Sequence, residues 1–155
     1  MQFKLVAIGG TFDIIHTGHL SLIGKAASIS ERVIIGLTSD SLAAKKGKNI
    51  TNNFKMRLEN LEKTLDNKFP SCLFEIAELN DDFGPAVIEG KVDALVVSEE
   101  TGKKGDILNA KRKERNLPDV EIVIVPMKLA SDGNRISSTR IRNSEIDSSG
   151  NIIVD

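Results

Sequence analysis

The strongest constraint on the fold of this chain is a short apolar run that stops at a glycine pair and restarts as an amphipathic helix. FKLVAI, residues 3–8, predicts a buried strand; GGTFDIIHTGHL, residues 9–20, then carries His16 and His19 three residues apart. Glycines let a backbone turn sharply and approach a ligand closely, so the turn is expected at Gly9 and Gly10. Leu20, Ile23 and Ala27 recur at helical spacing, which puts the two histidines on the first turn of the predicted helix. A helix N-terminus carries unpaired amide donors and about half a positive charge, a natural seat for phosphate, and imidazoles there add directed donors.

Further apolar, β-branched runs at 32–37, 73–79, 93–97 and 120–125 alternate with helical patterns. The clearest helix carries Phe54, Leu58, Leu61 and Leu65 on one face, with Asn52 and Asn53 available as N-caps; a weaker one covers about 105–116. Strands alternating with helices predict an α/β fold on a parallel sheet, doubly wound, with its ligand crevice at the carboxyl ends of the strands. GGTFD, GLTSD at 36–40 and VVSEET at 96–101 all follow strands, so three segments converge there.

Composition narrows the function. At 155 residues with 40% hydrophobic side chains the chain has the size of a single domain, 1–155, with a short extension at about 144–155. The apolar patch of that extension, 151–154, suits either an added edge strand or docking on the body. A net charge of -1 argues against a dedicated nucleic-acid binder. The absence of Trp and Tyr for base stacking weakens an RNA role for the basic segment 103–115, whose plainer reading is a solvated helix face. The single Cys72 lies in an apolar stretch and reads as packing. With no signal peptide or membrane-length apolar run, the expectation is a cytoplasmic protein with no membrane partner. The pattern specifies no oligomeric state.

Neither GxxxxGK[ST] nor GxGxxG occurs, which disfavours P-loop kinases and dinucleotide-dependent dehydrogenases. Two histidines at i, i+3, with no third histidine and a single cysteine far off in sequence, disfavour a structural zinc site. At the far end, ISSTRIR, 136–142, offers hydroxyls and an arginine fork suited to phosphate oxygens; Ser137, Ser138 and Thr139 equally suit a helix N-cap, and the two roles are compatible.

His16-Thr17-Gly18-His19, preceded by the GTFD turn at 10–13, resembles the HxGH signature of the nucleotidylyltransferase superfamily, and ISSTRIR is similar to its second signature. The stretch 96–125 narrows the likeness. Its SEET, its Asn109-x-x-Arg112 and its Leu117-Pro118 are similar to archaeal-type phosphopantetheine adenylyltransferases, and with GLTSD the likeness spans nearly the whole chain. The bacterial form typically has threonine where this chain has His16.

The resemblance implies a Rossmann-like five-stranded parallel sheet of order 3-2-1-4-5, and adenylyl transfer from ATP to 4′-phosphopantetheine with Mg²⁺ accompanying the ATP. It implies a nucleotide site of Gly9, Gly10, Thr11, Phe12, Asp13, His16, Gly18, His19, Ser98, Glu99, Ser137, Ser138, Thr139 and Arg140. Thr38, Asp40, Lys45, Lys48 and Arg57 fall toward the acceptor, Arg57 having a helix-surface ion pair as its alternative. His19 is the first choice for stabilising the α-phosphate, assisted by His16, with Thr11 orienting the attacking phosphate. Of Lys45, Lys46 and Lys48, one is expected to gather phosphate charge, and Lys48 is placed with the catalytic group. The rivals are a cytidylyltransferase or another nucleotidylyltransferase with a different phosphate acceptor, and, from another class, a non-catalytic nucleotide-binding module.

Overall fold

Each of the five apolar runs forms a strand: β1 (Phe3–Gly10), β2 (Ser30–Thr38), β3 (Leu73–Leu79), β4 (Ala94–Ser98) and β5 (Glu121–Val125). All pair in parallel, in the order β3-β2-β1-β4-β5. The computed structural model describes residues 2–84, 90–126, 129–134 and 136–153; the side chains of Glu100, Ser138 and Thr139 lie outside the described set. Helices α1 (Thr17–Ile29), α2 (Asp40–Lys45), α3 (Phe54–Lys68), α4 (Lys103–Glu114) and α5 (Ser138–Arg142) connect or follow the strands, and a 3₁₀ turn at Glu99–Thr101 leads into α4.

Alternation along β1 shows why the sheet needs cover on both faces. Val6 and Ile8 join Ile23 and Ala26 of α1 and Leu61 and Leu65 of α3 in one core; Ala7 faces the other way, toward Leu108 of α4, Leu95 and Val120. Both clusters contain fully buried side chains, each stabilising the fold by about 1.5–3 kcal/mol relative to exposure. On α1 the buried alanine is Ala26 rather than the expected Ala27, because Ala26 lies three residues after Ile23 and shares its face.

One local expectation changes and two open points are decided. The glycine pair does not turn: Gly9 and Gly10 stay extended and pair with Gly36 and Leu37, and the chain turns at Phe12, whose φ is 49°. Gly10 is required because a Cβ there would lie 2.9 Å from the Phe12 ring. The segment after β2 is not all loop. Ser39 Oγ accepts from Leu42 N at 3.1 Å, burying Leu42 and Ala43, so Lys45 ends α2 while Lys48 follows it. The C-terminal extension docks through Ile146, which is fully buried with Ala130, Ile136 and partly buried Ile141; of the apolar patch, Ile152 bridges Ile146 but stays exposed, as does Ile153.

The stretch that most narrowed the family resemblance braces the β4–α4–β5 unit. Asn109 exchanges two hydrogen bonds with the Val120 backbone, Nδ2 donating to the carbonyl at 3.1 Å and Oδ1 accepting from the amide at 2.8 Å. Buried Arg112 donates from Nε to the Pro118 carbonyl at 2.8 Å and from an η nitrogen to the Gly90 carbonyl at 3.3 Å. These side chains satisfy backbone groups that leave the sheet ladder. Asn109→Ala should therefore lower unfolding free energy by about 1–3 kcal/mol in urea denaturation. Its Michaelis constants should match those of the unsubstituted protein.

Candidate active site

The HxGH turn is built on a reciprocal cap. His16 is extended, at φ -138° and ψ 177°, and caps α1. Its Nδ1 accepts from Gly18 N at 3.1 Å, while His19 Nδ1 accepts from His16 N at 3.2 Å. Gly18 makes this possible, since a Cβ there would lie 2.9 Å from the His16 ring. The two imidazoles stack at 3.8 Å, and the buried Phe12 ring packs against His19 at 4.9 Å. An Nδ1 that accepts a backbone N–H leaves a neutral imidazole with its proton on Nε2, so His19 presents a directed N–H donor. Among the described residues nothing accepts that proton.

The helix amides play a different part from the one expected. Thr17 N donates to the Ser148 carbonyl at 3.0 Å, and Gly18 N is held by His16. The first two amides of α1 thus have protein partners, and the donor that this turn offers is the His19 Nε2–H.

Thr11 is fixed from both sides. Its hydroxyl accepts from Lys48 Nζ at 3.0 Å, and its carbonyl accepts from Arg57 at 2.9 Å. Arg57, fully buried, also donates to the carbonyls of Thr38 at 2.7 Å and Asn52 at 3.0 Å, and pairs with Asp40 at 2.8 Å. Arg57 thus lies inside the protein rather than on the helix surface, and its guanidinium faces protein carbonyls and Asp40, tying the ends of β1 and β2 to the loop before α3. Thr38 is likewise buried, and Asp40 faces Arg57, which holds its carboxyl below the usual carboxylate range. Of the three lysines, Lys48 touches Thr11 and Lys46 pairs with Asp82.

The two signatures, far apart in the chain, meet. Asp13, buried, accepts from the amides of Thr51 and Asn52 and pairs with Arg142 of α5. A cleft of about 490 Å³ lies between α1 and this C-terminal segment, lined by Thr17, Leu20, Ser21, Leu129, Ile136 and Ser149. Sequence reasoning missed Arg142. Residues two apart on a helix point to nearly opposite sides, so Arg142 reaches the GTFD turn while Arg140 pairs with Asp132 and Glu145. Phe12 and Asp13, expected on the nucleotide, turn their side chains into the protein instead, Phe12 under His19 and Asp13 onto Arg142. Ser137 Oγ accepts from Arg140 N at 3.2 Å, the capping role weighed for it; the expectations for Ser138 and Thr139 side chains lie outside the described residues. Ser98 sits at the end of β4 with its hydroxyl 3.1 Å from that of Thr101, and Glu99 is exposed. Among the described residues no group of three His, Cys, Asp or Glu side chains is arranged to hold a metal ion, and no helix is long and apolar enough to cross a membrane.

A parallel sheet of this order with its phosphate-type donors at the strand ends is the architecture of a nucleotidyltransferase, and residues 7–144 match the family model described as cytidylyltransferase-like. The phosphopantetheine adenylyltransferase of Methanothermobacter thermautotrophicus is 41% identical, over 98% of this chain and 91% of that protein. The enzyme of the same name from Methanosarcina barkeri is 42% identical, over 95% and 91%. A crystal structure of a protein of unknown function from Archaeoglobus fulgidus superposes with a TM-score of 0.71 at 33% identity, covering 77% of this chain and 87% of that one. Within the nucleotidyltransferase class, the chain belongs to the phosphopantetheine adenylyltransferase family.

Burial holds the His19 pKa down to about 3, with electrostatic contributions from His16 and Lys48 adding to the effect. The unfolded chain takes up a proton near pH 6.5 that the folded imidazole refuses until about pH 3. Stability linked to this group is therefore intact above about pH 6.5 and declines as pH falls toward 3. In the ligand-free protein, imidazole ¹⁵N NMR should show His19 as the neutral Nε2–H form from about pH 8 down to 5. His19→Asn should lose part of the acid-side fall in the urea midpoint; an unaltered slope would assign that fall to other groups.

Proposed function

We propose that this chain transfers the adenylyl group of ATP to 4′-phosphopantetheine, giving 3′-dephospho-coenzyme A and pyrophosphate. A phosphate oxygen of the acceptor attacks the α-phosphorus, the bond to the β,γ-diphosphate breaks, and pyrophosphate departs with the bonding electron pair. The acceptor monoester is already anionic near neutral pH, so the attack needs no general base, and the rate comes from positioning and charge stabilisation.

The observation that carries this reading is the reciprocal cap, which supports His19 as a neutral, preorganised Nε2–H donor beside the Thr11–Lys48 pair. In the proposed roles, His19 donates to the α-phosphate as negative charge builds on it and His16 keeps it aimed. Thr11 orients the attacking phosphate, and Lys48 offsets charge on it. Ser137 and its signature hold the triphosphate, joined there by Arg142, whose partner Asp13 lies on the HxGH side. Ser98 and Glu99 flank the adenine. Mg²⁺ is proposed to arrive on the triphosphate oxygens and to neutralise their charge. The imidazole, ammonium and hydroxyl donors of the crevice suit phosphate oxygens rather than the cation, so no step depends on a protein-held ion.

Pyrophosphate release with ATP or CTP, and with 4′-phosphopantetheine, nicotinamide mononucleotide, flavin mononucleotide or a polyol phosphate as acceptor, tests the assignment. Turnover is expected with ATP and 4′-phosphopantetheine; turnover with another pair alone would replace that acceptor. His19→Ala should lower kcat by about 10²- to 10³-fold while ATP affinity changes far less. A defect confined to binding would remove His19 from the transition state.

A further inference from the structure

Three lysines at the end of α2, Lys45, Lys46 and Lys48, surround a single glycine, and the backbone there has a defined form. Lys46 is the C-terminal cap of the helix. Gly47 follows in the left-handed region, at φ 73°, with its amide donating to the Ala44 carbonyl at 3.0 Å, while the Lys48 amide donates to the Ala43 carbonyl at 2.9 Å. Two bonds of this kind, from the first and second residues beyond the cap back into the last turn, make up the Schellman motif. A Cβ at Gly47 would meet nothing within 4 Å, so the space around it does not demand glycine. The backbone dihedral does.

The turn sends neighbouring like charges to separate partners. Lys46 pairs with Asp82, in the segment after β3, whereas Lys48 Nζ donates to the Thr11 hydroxyl, beyond the end of β1, at 3.0 Å. A lysine stem is four flexible methylenes long and does not by itself keep its ammonium in one place. The aim of Lys48 is therefore set where its backbone begins. On one side that backbone is closed onto α2 by the Gly47 turn; on the other, three and four residues further on, the amides of Thr51 and Asn52 are held on the buried Asp13 carboxylate. Of these anchors, the Gly47 turn is the one next to Lys48.

We propose that Gly47 is a positioning residue for the reaction: by closing α2 in the left-handed conformation it directs Lys48 at Thr11 and so places the ammonium where the attacking phosphate arrives. This rests on the adenylyl-transfer reading above, in which Lys48 offsets charge on that phosphate. The role of Gly47 runs through Lys48 alone. A residue that cannot hold a positive φ breaks the two closing bonds and carries the root of Lys48 away from Thr11.

Gly47→Val and Gly47→Asn, each alone and combined with Lys48→Met, test this on the full chain. A β-branched residue is excluded from the left-handed region, whereas asparagine is tolerated there. With ATP and 4′-phosphopantetheine, Gly47→Val should lower kcat/KM for the acceptor by about 10- to 100-fold, with calorimetric affinity for ATP changed by less than about 3-fold, and Gly47→Asn should recover most of the loss. When Lys48 is already Met, Gly47→Val should cost less than about a further 3-fold. A ¹³C label on the Thr11 methyl reads the same contact without substrate: its signal should move in Gly47→Val as it moves in Lys48→Met, and return in Gly47→Asn. Gly47 is exposed, so both variants should fold, which thermal melting checks. Equal losses in Gly47→Val and Gly47→Asn, a full loss from Gly47→Val in the absence of the Lys48 ammonium, or an unmoved Thr11 methyl would each overturn the role of Gly47. If the unsubstituted protein does not turn over this acceptor, the acceptor assignment falls and Gly47's part in that reaction with it; the Thr11 methyl still shows whether Gly47 aims Lys48.

Discussion

The crevice depends on one buried guanidinium. Where strands of a parallel sheet end, their last carbonyls lose ladder partners and the chain diverges into separate loops. Arg57 answers both problems with one rigid fork, donating to carbonyls at the ends of β1 and β2 and before α3, with Asp40 supplying the opposite charge. Asp40 is half exposed, so water shares in offsetting the buried guanidinium, and it is the three carbonyl acceptors that fix the fork in place. The consequence reaches past stability: Thr11, whose hydroxyl faces Lys48, takes its backbone position from the same fork.

The choice of histidine as a helix cap follows a comparable economy of atoms. Aspartate caps a helix with a carboxylate oxygen and then has no donor to offer a ligand. Imidazole separates the two functions across its ring. In His16 and His19 the Nδ1 atoms accept backbone amides, so the donor lies at the far nitrogen. Stacking of the rings and burial of Phe12 fix its direction. A neutral donor also costs less to bury than an imidazolium, in keeping with the depressed pKa of His19.

The sheet was legible because hydrophobic periodicity records which face of an element is buried. The alternation along β1 and the spacing of Leu61 and Leu65 on α3 carry that record directly. Polar contacts leave no comparable trace. Arg57 sits on the buried face of α3 yet reads in sequence like any surface arginine. The partnership of Arg142 with Asp13, across 129 positions, has no periodic signal, and Arg140 next to it matches the same motif equally well. Short α2 escaped notice because a six-residue helix holds fewer than two turns, too few for periodicity to show, and its one local signal is the Ser39 cap. Asn109 and Arg112 were legible as a family likeness, but that likeness gave no hint that they brace backbone carbonyls rather than face a substrate.

Asp13 draws these strands of argument together. Its carboxylate offers about four acceptor positions, and the structure spends them on the amides of Thr51 and Asn52 and on Arg142. The pairing of β1 with β2 and β4 has already brought the GTFD turn to the middle of the sheet, and the docked C-terminal segment holds α5 nearby. The Arg142 contact therefore closes little additional chain, and its entropic cost is small relative to its separation in sequence. Because the Asn52 carbonyl accepts from Arg57 while the Asn52 amide donates to Asp13, the guanidinium clamp and the carboxylate clamp share one peptide segment. The Asp13 contacts thus join α5 to the loop before α3, and Arg57 joins that loop to Thr11, so a continuous run of polar contacts links the two ends of the chain beneath the crevice.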